Sequence, residues 1–259
     1  IRDIDYIAIP RDPKARFLKK LYYGIKIPRL ALRRLGALCK TRDIKKTIAD
    51  ILNVDDREIK ADFVNTEHHK AHLASSFLVS PFERALLFSA DGLGDFASTM
   101  WARGEGNRIE ALGDISFPHS LGMYYTAITQ YLGFYSFGDE YKVMGLASYG
   151  KPEYKDEFEK IVSYSGGAKF KLGLKYFRHH KKLVDMNFES GYPELDILFS
   201  KYLEKRLGPA RKKDEPIGER HKNIAASLQS RIEEVIFSLL NKLYGQGGLD
   251  TLCLSGGVA

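Results

Sequence analysis

Cysteine is nearly absent. The 259 residues hold two, Cys39 and Cys253. That is too few for a disulfide scaffold, so a reducing, cytoplasmic setting is expected. Long apolar runs are also missing. None approaches the roughly 18 residues that a membrane span needs. The first ten residues lack a basic start followed by an apolar stretch, so no secretory leader is expected. There is no internal repeat and no low-complexity tract. Apolar and charged residues are in ordinary supply, 44% and 28% of the chain, which excludes a disordered chain and allows a substantial core.

Negative charge is scarce in one place. Residues 11–46 carry thirteen lysines and arginines against two aspartates. That segment is therefore +11 within a chain of net charge +7, and the remainder is −4. The positive balance belongs to one stretch. Such a stretch can attract nucleic acid or anionic lipid. Leu18, Leu21, Tyr22 and Ile25 follow helical spacing, however, so the leucines and tyrosines read as helix core with cations on solvated faces. Neither a membrane nor a nucleic-acid partner is expected.

Further along, Ile4–Ile9 reads as a strand ended by Pro10. Leu30–Leu38 suggests a second basic helix. Ile44–Leu52 suggests another, with Asp43 as its cap. Ile59–Phe63 reads as a short strand leading into Glu67-His68-His69-Lys70-Ala71-His72, where a helix begins. Arg84–Ala90, Ser98–Arg103 and Arg108–Ile115 read as a three-stranded meander, with turn chemistry at Gly104–Asn107. A helix is expected over His119–Tyr131, capped by His119 or Ser120. Residues 151–222 look polar, aromatic and irregular, as an insertion would. Asn223–Tyr244 carries one apolar stripe from Ile224 to Leu243 and is the clearest helix, with Gly245 and Gly247 expected to stop it. Thr251–Leu254 is a last strand.

Three places can carry chemistry. His68 and His72 stand four apart, which on a helix puts both imidazoles on one face within reach of one ion. Asp91, at the end of the Arg84–Ala90 strand, is the best third ligand, giving a set suited to iron(II), zinc or manganese. The competing reading is a histidine-rich, solvated helix start. Gly92 and Gly94 follow that strand, and Ser255, Gly256 and Gly257 follow the last one. Glycine turns at strand ends let backbone N–H groups approach a phosphate, although each is also ordinary turn chemistry. Lys142 is a candidate phosphate or carboxylate contact or a plain surface lysine. Cys253 reads as a core residue.

Five blocks in order, EHHKAHLASSF (67–77), LFSADGLGDFASTMWARGEGNRIE (87–110), PHSLGMYYTAITQYLGF (118–134), GDEYKVMGLASYGKP (138–152) and LSGGVA (254–259), resemble the O-carbamoyltransferases of nodulation-factor and antibiotic biosynthesis. The resemblance implies an α/β, actin/hexokinase-like (ASKHA) two-lobed fold, similar to that of the tRNA-threonylcarbamoylating family. On that reading residues 1–83 are the end of the first lobe and 84–259 the beginning of the second, with the fold incomplete at both ends.

The same resemblance implies an enzyme that uses carbamoyl phosphate and ATP, passes through carbamoyl-adenylate, and delivers the carbamoyl group to a hydroxyl of a small molecule or sugar. It assigns His68, His72 and Asp91 to a divalent metal, commonly iron. It places a further aspartate ligand, and the domain that makes carbamoyl-adenylate, in sequence beyond LSGGVA. Ser255, Gly256 and Gly257 correspond to a nucleotide loop. No general base is identified. Threonylcarbamoyl transfer to tRNA and a non-catalytic metal- or nucleotide-binding fragment are the alternatives.

Overall fold

A computed structural model describes residues 1, 3–27, 44–164, 166–182, 184, 186–187 and 193–259. Cys39, Asp43 and the expected helix over Leu30–Leu38 lie outside the described residues. The chain divides into two compact units, 1–71 with 94–96, and 72–93 with 97–259. No helix among the described residues is long and apolar enough to cross a membrane.

In the first unit, β1 (Tyr6–Ile9) pairs in parallel with β2 (Asp62–Asn65). The second strand starts three residues later than its apolar residues suggest. The reason is local: Asp55 accepts from the Arg57 N–H at 2.9 Å and Glu58 accepts from the Asp55 N–H at 3.3 Å, closing a helical turn at Asp56–Glu58. Ile59 is thereby turned inward, beside Ala49 and Ala61. Ala49 belongs to α2 (Ile44–Leu52), which forms as the sequence predicts.

The first helix, α1 (Phe17–Lys26), also forms where its spacing predicts, but its apolar residues are not core. None of its side chains is buried, and Leu18, Leu21, Tyr22 and Ile25 are exposed. Among its contacts, the Tyr23 ring meets that of Phe96, and Lys20 donates to the carbonyls of Asp12 and Pro13. Periodicity defines an apolar face but does not supply a partner for it.

The second unit is built on a four-stranded sheet in the order β10-β3-β4-β5. The strands are β3 (Arg84–Gly94), β4 (Ala97–Glu105), β5 (Arg108–Ser116) and β10 (Leu252–Ser255). The run of small and apolar residues in β3 is explained by two covered faces. Leu86, Phe88 and Ala90 enter the main core, while Ala85 and Leu87 enter a second core on the other face. That second core is closed by Leu73 and Phe77 of α3 (His68–Phe77). Glu105 and Arg108 pair across a two-residue turn, with Gly106 in the left-handed region that such a turn requires.

The main core receives α4 (Leu121–Tyr131) and α8 (Glu219–Gly247). Ser120 caps α4, accepting from the Met123 N–H at 3.0 Å. The stripe from Ile224 to Leu243 is buried or packed against that core, as its spacing predicts. Gly245 and Gly247 do not stop α8. It continues to Gly247 and ends at Gly248, whose φ of 58° supplies the left-handed cap.

Among the described residues of 151–222, irregular chain alternates with more regular structure than the sequence predicts. They contain α6 (Lys155–Ile161), the β6–β7 pair (Val162–Tyr164 with Phe170–Leu172), the β8–β9 pair (Met186–Asn187 with Glu194–Leu195) and α7 (Lys201–Leu207). Phe158, Phe170, Tyr176, Phe177 and Phe199 are buried in the main core. These aromatics therefore pack inward, and the short elements that carry them leave little periodicity to read. A further helix, α5 (Glu140–Ala147), occupies the segment that begins as a glycine-acidic turn.

Candidate functional site

The pairing of β10 with β3 sets the geometry. The two strands are parallel, with Leu252 opposite Leu86 and Ser255 opposite Ser89. β10 ends opposite Ser89 while β3 runs on to Gly94, which brings the Ser255-Gly256-Gly257 turn beside Asp91. Ligands of open α/β sheets bind at this end of the strands.

The close approach is paid for in glycine. Gly256 has φ of 95°, and a β-carbon there would overlap the Ala90 carbonyl oxygen. A β-carbon at Gly257 would stand 3.1 Å from Asp91 Oδ1. The Val258 N–H donates to the Ala90 carbonyl at 3.0 Å, folding the turn back onto β3. The Ser255 Oγ is buried without a hydrogen-bond partner.

On α3, His68 and His72 are one helical turn apart, and α3 and β3 are unbroken elements. His72 Nε2 lies 3.4 Å from Asp91 Oδ2. Ligand atoms of His68, His72 and Asp91 all lie within 4.8 Å of one another. His72 and Asp91 are 31% and 25% exposed, so a ligand can reach them from outside. His69 is fully buried, its ring meeting that of His68 edge-on at 5.4 Å. Two imidazoles and a carboxylate, converging with room on one side, fit a divalent transition metal.

The sequence predicts a turn at Gly92 and Gly94; the strand instead continues through both, the turn falling at Asp95-Phe96, and the two glycines serve these ligands from within β3. The Gly92 N–H donates to Asp91 Oδ1 at 2.7 Å, which fixes the carboxylate. A β-carbon on Gly122, in the first turn of α4, would stand 2.7 Å from the Gly92 Cα, so this helix start lies directly on the end of β3. Ser120 Oγ donates to the Gly92 carbonyl at 2.5 Å. Gly94 makes room for His68, since any β-carbon at that position would overlap the imidazole.

Other candidates stand apart in chemistry. Lys142 Nζ is paired with Asp139 at 2.6 Å, which raises its pKa. Cys253 is buried, as read from the sequence. A histidine group composed of His119, His179 and His180 was not singled out by spacing, because residues 119 and 179 are brought together only by the fold. The Leu172 N–H donates to His119 Nδ1 at 3.1 Å, and His179 Nε2 contacts the Pro118 carbonyl at 2.8 Å. Burial lowers all three pKa values, that of His180 to about 4.

Comparison with known proteins gives this geometry a context. Residues 2–259 match the family model described as the carbamoyltransferase N-terminus. Protein sll1178 of Synechocystis is 33% identical over 269 residues, an alignment covering 100% of this chain and 42% of the relative. The nodulation protein NolO of Bradyrhizobium diazoefficiens is 37% identical over 204 residues, covering 74% of this chain and 31% of its own length. The nodulation protein NolNO of Sinorhizobium fredii is 34% identical over 200 residues, covering 74% and 25%. The chain thus spans less than half the length of these relatives. With the match running from residue 2 to the last residue, the chain belongs to the carbamoyltransferase N-terminal family.

Proposed function

We propose that this chain is the part of an O-carbamoyltransferase that holds the carbamoyl donor for transfer to a hydroxyl of a small molecule or sugar. The observation that carries the reading is the convergence of His68, His72 and Asp91 in a chain of this family. The proposed fold is the two-lobed ASKHA type. The proposed donor is carbamoyl-adenylate, made from carbamoyl phosphate and ATP by sequence outside residues 1–259.

In this reading His68, His72 and Asp91 hold a divalent ion, with iron(II) favoured over zinc and manganese. Such an ion would supply Lewis-acid charge for a phosphate. The chain's own groups then have defined tasks. The Gly92 N–H keeps the Asp91 carboxylate turned toward the histidines. The Ser255–Gly257 turn, without side chains at its last two positions, admits the nucleotide close to the backbone. The amino end of α4 lies against Gly92, beside Asp91, and its dipole favours an anion there. The acceptor hydroxyl attacks the carbamoyl carbon, and AMP leaves with the electron pair of the broken C–O bond.

The test uses the full-length polypeptide. Wild type should retain a divalent metal and release AMP from carbamoyl phosphate and ATP only when a hydroxyl acceptor is present. His68→Ala and Asp91→Ala should lose both metal and transfer. Wild-type metal content in both variants would overturn the assignment. Threonylcarbamoyl modification of tRNA without transfer to small hydroxyl compounds would replace it with the tRNA reading.

A further inference from the structure

The turn between β3 and β4 departs from ordinary hairpin chemistry. Its two residues, Asp95 and Phe96, both have positive φ, 46° and 73°. A tight turn with two such positions ordinarily takes Asn-Gly or Asp-Gly, because glycine alone enters that region freely. A phenylalanine there is strained, and strain persists where the surroundings fix the residue.

The surroundings do fix it. Asp95 Oδ2 accepts from the Asp12 N–H at 2.6 Å and from the His68 N–H at 3.0 Å. The Asp95 carbonyl accepts from Arg16 at 3.2 Å. Arg16 in turn is paired with Glu67 at 2.6 Å, both nine-tenths buried. The other Glu67 oxygen accepts from the Lys70 N–H at 2.8 Å. Phe96 is buried, with its ring beside Tyr23. The first turn of α3 is therefore capped twice: by the preceding glutamate, and by an aspartate 27 residues further on.

These contacts converge on one residue. Asp95 holds the backbone N–H of His68, and its neighbour Gly94 lies directly under the His68 imidazole. We infer that Asp95 is a positioning residue for the first metal ligand, clamping the amino end of α3 so that His68 stands over Gly94 in register with His72 and Asp91. The inference rests on the metal reading of the His68–His72–Asp91 set. It explains why a strained turn stands where an unstrained one would serve a plain hairpin.

Cobalt(II) binding to the full-length protein tests it, read by titration and by the visible d–d spectrum. Asp95→Gly relieves the backbone and removes only the carboxylate. It should weaken cobalt affinity about tenfold, the scale of lost support behind metal ligands, and shift the d–d bands at saturating metal. Asp95→Asn keeps an acceptor oxygen and should stay within about threefold of wild type. His72→Ala should abolish binding.

If His72→Ala loses cobalt while Asp95→Gly keeps wild-type affinity and spectrum, the positioning role is overturned and the metal site stands. If wild type takes up no cobalt, both are overturned. Should Asp95→Gly fail to fold, Asp95→Glu carries the same comparison. Its carboxylate is one methylene too long to seat on the same N–H pair, and wild-type binding by it overturns the inference equally.

Discussion

Single residues at the candidate site act through what they leave out. Gly94 has no side chain, and the His68 imidazole occupies that space. Gly94→Ala should push the ring aside and weaken metal affinity at least tenfold, while melting temperature measured in chelator changes little. Gly256→Ala is a different case. Its neighbour is the Ala90 carbonyl, which cannot swing away, and its φ of 95° disfavours any β-carbon. It should cost about 2 kcal/mol or more of stability, read by denaturant midpoint.

Two ionisable residues are prominent among those that shape the acid response. Burial, together with His179, Lys181 and His119, holds the His180 pKa down to about 4. The unfolded imidazole takes its proton near 6.5, so lowering pH from 6.5 to 4 favours unfolding. Glu157 works at lower pH. Its hydrogen bonds from Arg206, at 2.7 and 2.9 Å, and from Tyr176, at 2.7 Å, hold its pKa down to about 2. Its stabilisation is complete above its ordinary value of 4.5 and is lost as pH falls toward 2. Melting temperatures from pH 7 to 3 should show both slopes. His180→Gln should flatten the upper one and Glu157→Gln the lower.

At the scale of elements, α3 has two jobs along one helix. Its first two turns present His68 and His72. Its later residues Leu73 and Phe77, both essentially unexposed, cover the sheet. Leu73→Ala should cost about 2–5 kcal/mol of unfolding free energy through the cavity it leaves. The amino end depends on the Arg16–Glu67 pair. Arg16→Ala strands a buried carboxylate and should cost about 3 kcal/mol or more, measured by urea unfolding. Removing both partners together should cost less than the two single losses combined, since no charge is then left unpaired.

For the whole molecule, the order β10-β3-β4-β5 is the consequential feature. The meander β3, β4, β5 is local in sequence. The parallel addition of β10 to β3 closes a connection that runs through α4 to α8 and all the short elements between. It is this pairing that carries the Ser255–Gly257 turn to Asp91, across more than 150 residues of chain.

The sequence by itself determined a good deal. The β3–β5 meander, the start of α4, the stripe of α8 and the burial of Cys253 were legible because each depends on residues near one another, through a period, a cap or a two-residue turn. The pairing of His68 with His72 was legible for the same reason, since four residues make one helical turn. Asp91 was proposed from its place at an expected strand end, whereas the strand runs on to Gly94.

Only the tertiary structure decided the rest. It turned Phe158, Phe170, Tyr176, Phe177 and Phe199 inward, because burial of scattered rings leaves no regular period. It left the apolar face of α1 exposed, because spacing marks a face without naming what covers it. It gave Gly94 to His68 and Asp95 to the His68 N–H, because those contacts join residues 26 and 27 positions apart. A hydrogen bond or a steric gap at that separation depends on where the backbone returns, and no local pattern of residues records it.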